Sequence, residues 1–180
     1  MIANPEIDLR DEQIVAQLHQ LGVCHLVRLS ADAPVADWPP AQLIAALAAH
    51  SQSRMRSALI LLFLRQPEFG DSARLAVRQL DELAANTLRL YYQAAFYLQR
   101  ELEPELRVCI AGWKPLPDLF SAELGLPPAN TLAVETALQA LGEIHHRLTG
   151  WAYNWAGAYR QDIPLFLKQL RRFLHEPLIT

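Results

Sequence analysis

The fold is decided by residues 71–102, DSARLAVRQLDELAANTLRLYYQAAFYLQREL. Ala73, Val77, Leu80, Ala84, Leu88, Tyr91, Ala95, Leu98 and Leu102 follow one another at steps of three or four. Such steps keep an apolar stripe on one side of a helix with 3.6 residues per turn. The register runs through Asn86-Thr87, two weak helix formers, without a change of phase. The pattern therefore predicts one amphipathic helix of about 30 residues, about 45 Å long. Asp71 after Gly70 is placed to cap its start, and Pro104 to end it.

Outward from this rod, the rest of the chain also reads as helix. Asp11–Leu21 carries Ile14, Val15, Leu18 and Leu21 on one face, and Gly22 suits the position after the last turn. Pro40 opens a helix to about His50. Gln52–Arg65 contains the run Leu59–Leu64, apolar on every side, and so should be the most buried helix. A short helix is expected at Asp118–Glu123, inside a proline-rich connector. A second long register, Val134, Leu138, Leu141, His145 and Leu148, continues through Ala152, Trp155 and Tyr159. It predicts a second long helix from Thr131 to Tyr159, crossing Gly150. Ile163, Phe166, Leu170, Phe173 and Leu174 form the inner face of a last helix, which Pro177 stops. The one rival to an all-helical reading is a short β ribbon pairing Val23–Ser30 with Leu106–Ala111. The expectation is a single all-α domain, residues 1–180, of six to eight helices with two long ones.

Composition limits what such a domain does. The net charge is −3 and 19% of residues are charged, which argues against a nucleic-acid footprint. The apolar fraction of 52% leaves apolar surface for a partner. Two cysteines, Cys24 and Cys109, are too far apart to build a metal motif and read as reduced thiols of a cytoplasmic protein. No apolar run is long enough to span a bilayer, and the acidic start is not a signal peptide.

The residues with chemical potential cluster late in the chain. GWAYNWAGAY, residues 150–159, places Trp151, Trp155 and Tyr159 in one row on the expected helix. Two readings are open: the row packs against a neighbouring helix, or it lines a pocket. The pocket or partner surface would comprise Tyr91, Tyr92, His145, His146, Trp151, Tyr153 and Trp155, with Asn154 adding a polar group. His145 and His146 are adjacent, so they point about 100° apart on a helix and do not share one metal ion. His145 falls on the apolar stripe and His146 on the polar face beside Glu143. No phosphate loop, serine elbow or zinc motif occurs, so no catalytic residue and no cofactor is assigned. Lys168, Arg171 and Arg172, with His175, form a basic edge on the last helix, suited to that helix's C-terminal dipole or to an anion.

Residues 40–67 hold two apolar helices around a short polar turn, the second opening SRMRSALILLFL. With Met55-Arg56 followed by Ala58, this segment resembles one unit of a HEAT-type repeat. The resemblance covers under a sixth of the chain, and no second copy recurs. It implies a binding scaffold. The leading expectation is thus a non-catalytic helical protein that binds another protein or itself. The alternative is a small-molecule-binding protein or unusual enzyme using the aromatic and histidine pocket.

Overall fold

The computed structural model describes residues 5–26, 37–128 and 131–175. All regular structure in these residues is helical, as the periodicity requires. The helices are α1 (Pro5–Gln20), α2 (Pro40–Ala48), α3 (Ser53–Arg65), α4 (Gly70–Val77), α5 (Glu82–Cys109), α6 (Val134–Thr149), α7 (Trp155–Arg160) and α8 (Ile163–His175). A 3-10 turn, Pro67–Phe69, links α3 to α4. Among the described residues no helix is long and apolar enough to cross a membrane.

Three helices lie where the apolar spacing puts them. Ile14, Val15 and Leu18 of α1 are buried. Gly22 ends that helix with φ 79°, the left-handed conformation a Cβ disfavours. Its amide donates to the His19 carbonyl at 3.0 Å, and the Val23 amide donates to that of Leu18 at 2.8 Å, the Schellman pattern. Pro40 begins α2, and Leu59–Leu64 of α3 are buried on every side. Their core continues into α5, which also packs against α2, α4, α6 and α8.

The first predicted rod is broken. Helix α4 ends at Val77, and α5 starts afresh at Glu82. Asp81 causes the restart. Its backbone is extended (φ −64°, ψ 167°), and its carboxylate accepts the Ala84 amide at 2.8 Å, the arrangement of an N-cap. The suspected weak point, Asn86-Thr87, lies inside α5. The apolar phase survives because Ala73, Ala84, Leu88, Tyr91, Ala95, Leu98 and Leu102 face one core on both sides of the break. Asp71 sits in the first turn of α4, with Phe69 in the cap position.

At its far end α5 exceeds the expectation. It passes through Pro104 and stops at Cys109, after 28 residues, about 42 Å. A proline in a helix forfeits a backbone hydrogen bond, and the buried Leu102 and Leu106 on either side keep the helix seated. Because Leu106–Cys109 are helical, the β ribbon does not form at that strand. Its other half from Val27, the loop at residues 30–36 and the Pro177 stop lie outside the described residues. The short helix at Asp118–Glu123 is replaced by turns. The Asp118 carboxylate accepts the Ser121 amide at 3.2 Å and fixes the first of these turns.

The second predicted rod is broken as well, at Gly150. That residue has φ 72°, and its amide donates to the His146 carbonyl at 2.7 Å. Residues 151–154 form no regular helix, and Asn154 restarts the chain as α7 by accepting the Gly157 amide at 3.0 Å. Gly150 is thus a helix terminator and not an interior position of one long helix. Substituting Gly150→Ala is expected to lower stability by about 1 kcal/mol, measured by urea unfolding, because the left-handed conformation penalises a Cβ. Nothing lies within 4 Å of that added carbon, so unchanged stability would show that the turn relaxes into another conformation. In α8, Ile163, Phe166 and Leu170 are buried as expected, whereas Phe173 is 52% exposed.

A candidate binding cleft at the α6–α7 elbow

The break at Gly150 folds α7 back along α6 and α5. Gly142 makes the close approach possible: a Cβ there would stand 3.2 Å from the Trp155 Cβ. Arg160 of α7 then bridges two helices, pairing with Glu101 of α5 and, at 3.1 Å, with Glu135 of α6. Its hydrogen bond holds the Glu101 carboxyl below its ordinary pKa.

Four aromatic side chains meet inside this elbow. His145 is buried, with Tyr159 Oη 2.8 Å from its Nδ1. Trp155 stacks on the imidazole, with ring centroids 3.5 Å apart and planes 12° from parallel. Tyr91 of α5 meets both His145 and Tyr159 edge-on, each at 5.9 Å. Burial penalises the imidazolium, and the positive Arg56 guanidinium adds to the penalty, lowering the His145 pKa to about 4. His145 is therefore neutral near pH 7. Burial likewise pushes the Tyr91 and Tyr159 phenols up, so both stay protonated.

Beside this cluster lies a cleft of about 460 Å³, to which His145, Trp151, Trp155 and Arg56 contribute. It separates the α2–α3 turn from the first turns of α5 and the end of α6. Arg56 is fixed in its wall by donating from Nη1 to the His50 and Ser51 carbonyls, at 2.6 and 2.8 Å. Leu83, Leu148 and Trp151 also line the cleft, and all three expose much of their surface; Trp151 reaches 74%. On the far side of Trp155 is a more open depression of about 820 Å³. His146, Tyr153 and Asn154 line that one, so the proposed pocket residues divide between two depressions that share Trp155.

Tyr92 belongs to neither. It is fully buried against Phe63 and Phe120, and its hydroxyl donates to the Pro117 carbonyl at 2.9 Å. Adjacent helical positions diverge by about 100°; here Tyr91 faces the elbow while Tyr92 anchors the connector. The row Trp151, Trp155, Tyr159 also does not persist, because Trp151 precedes the start of α7. Its carbonyl instead accepts the Trp155 indole N–H at 3.3 Å.

The basic edge of α8 lies apart from the cleft. Arg171 Nη2 stands 3.8 Å from Glu105 Oε1 of α5, and Lys168 and Arg172 are exposed. The residues missed by periodicity are Arg56 and Leu83; Leu148 lies on the second register but is 43% exposed at the rim. Arg56 and Leu83 come from two different helices and share no local pattern. Among the described residues, no three His, Cys, Asp or Glu side chains converge to hold a metal ion.

The fold and the cleft thus define an all-α protein with an aromatic elbow. No protein-family model, curated protein or solved structure matches the chain.

Proposed function

We propose that the chain is a non-catalytic helical binding protein that receives an apolar side chain of another protein in the aromatic cleft. The observation that carries this reading is the exposed apolar rim. Trp151 at 74%, Leu83 at 67% and Leu148 at 43% stand around a cleft floored by an uncharged histidine. A solvent-facing tryptophan beside a preformed socket is the usual anatomy of a binding hot spot. A second copy of the chain is one partner that fits these terms.

Selection from a random peptide library displayed on phage tests the proposal, with Trp151→Asp as the counter-target. The expected result is an enriched motif carrying an aromatic or Leu residue. Its binding should weaken by at least 2 kcal/mol on Trp151→Asp, about 30-fold. Peptides that bind both proteins equally would sink it.

One observation favours a small molecule instead: the volume of about 460 Å³ falls in the range of small-ligand sites. The uncharged probe N-phenyl-1-naphthylamine distinguishes the two. Saturable binding lost in Trp155→Ala but kept in Trp151→Asp would support that second reading.

A further inference from the structure

The break between α4 and α5 has a second product. Arg74, Arg78 and Arg89 line one cleft of about 350 Å³, with Glu123 as the single carboxylate among its lining residues. On an unbroken rod, Arg74 and Arg89 would stand 15 positions apart, about 22 Å along the axis. The restart at Asp81 brings α5 alongside α4 instead, and three arginines line one depression.

Their states differ. Arg89 is held, its Nε 2.8 Å from Glu123 Oε2 and its Nη1 3.2 Å from Asn86 Oδ1. Arg74 and Arg78 are exposed, and among the described residues neither forms an ion pair or hydrogen bond. The nearby Asp118 carboxylate is already occupied by Ser121 and Gln93. Beneath the charges lies apolar material: Phe120 is buried, and Val77 and Leu119 are half-buried. Such a floor lowers the local dielectric and strengthens attraction for an anion.

We propose that this cleft is an anion site for a phosphate monoester or diphosphate group, the terminal phosphate of a small phosphorylated molecule. Guanidinium groups match phosphate oxygens in pairs, as forks of parallel N–H donors. Arg74 in α4 and Arg78 at its C-cap supply two forks, and Arg89 supplies a third already oriented by Asn86 and Glu123. The charges converge on one depression rather than tracking a line of successive phosphates. The chain as a whole is negative, at −3, which disfavours a polyanion.

Pyrophosphate and inorganic phosphate are the probes, followed by isothermal titration calorimetry and by thermal unfolding. Sodium chloride at matched ionic strength is the control, because general salt effects do not saturate. The expected result is saturable stabilisation by pyrophosphate. The double variant Arg74→Gln, Arg78→Gln should bind at least about tenfold more weakly, since two charge-assisted contacts are lost. Both side chains are exposed, so the variant should fold; its circular dichroism and unfolding midpoint without probe check this. The double lysine variant should be intermediate, keeping the charge but losing the forks. Stabilisation equal to that from sodium chloride, or undiminished in the glutamine variant, overturns the proposal. So does binding of a single-stranded oligonucleotide that is tighter than pyrophosphate and falls steeply with salt, which would make the surface a nucleic-acid contact.

Discussion

Replacing Tyr159 by alanine should destabilise the protein by about 3–5 kcal/mol, the usual cost of emptying a large aromatic site in a core. Tyr159 is 2% exposed and is the deepest aromatic residue of α7. Its ring packs against both Tyr91 and His145, and its hydroxyl pairs with His145 Nδ1. Truncation removes all of these contacts and orphans a buried imidazole nitrogen. The loss falls on a six-residue helix, too short to persist without tertiary packing. Tyr159→Phe separates the two effects. It keeps the ring and removes the phenol, so it should cost roughly 1–3 kcal/mol. Urea unfolding followed by circular dichroism measures both. Trp155 fluorescence reports whether the elbow opens before the rest of the molecule unfolds. If Tyr159→Ala is destabilised by less than about 1 kcal/mol, the elbow is not seated on the core.

The second large effect is a dependence on pH. His145 titrates near 4 in the folded chain against 6.5 for a free histidine, because burial and Arg56 oppose its charge. Between these values the unfolded chain binds more protons than the folded one, so stability falls as pH is lowered through the window. Each pH unit is worth up to about 1.4 kcal/mol, and the whole window roughly 3 kcal/mol. His25 adds to the same trend, since burial lowers its pKa despite the attraction of Asp162. Paired carboxylates such as Glu101, lowered by Arg160, also lose stability in acid, but from their own lower range. The interval from about pH 5 to 6.5 therefore isolates the histidines. His145→Phe keeps a ring to stack on Trp155 and removes the titration. Its stability should change less with pH across that interval than the wild type's, whatever its absolute stability. Parallel curves for the two proteins would show that His145 is solvated or charged in the native state.

Both predictions rest on the α6–α7 elbow, a feature the linear pattern conceals. Trp151, Trp155 and Tyr159 have helical spacing, and nothing in that spacing distinguishes a continuous helix from two pieces packed against each other. The difference lies in Gly150. A glycine inside a helix costs about 1 kcal/mol, and one that ends a helix costs less than any other residue. Which role it plays depends on whether the residues beyond it gain more by continuing or by turning back. Here Tyr159 and Trp155 turn back onto His145, and Arg160 reaches two carboxylates. These contacts are long-range and leave no trace in local periodicity. The same holds for Asp81: an apolar register runs straight through it, so its capping role leaves no mark in the local pattern.

The candidate site was legible in part. His145 on the apolar stripe and Tyr159 do meet Tyr91, because each lies on the inward face of its own helix, whereas Trp151 and Tyr153 are exposed ahead of α7. Tyr92 was not separable from Tyr91 by composition, and only the position of the connector at Pro117 shows that it faces away. Arg56, and the arginines at 74, 78 and 89, carry no periodic signal, since a charged residue on an outer face is satisfied equally by water or by a ligand.

By itself, then, the order of residues determined the all-helical class, the starts of α2 and α3, and the burial of most stripe positions. Those properties follow from backbone hydrogen bonding and from the three-to-four-residue repeat of apolar side chains, both local. Tertiary structure alone decided where the two long registers break and which side chains surround each cleft. A break preserves the apolar phase while redirecting the chain, so its cost and its gain are settled between segments distant in sequence.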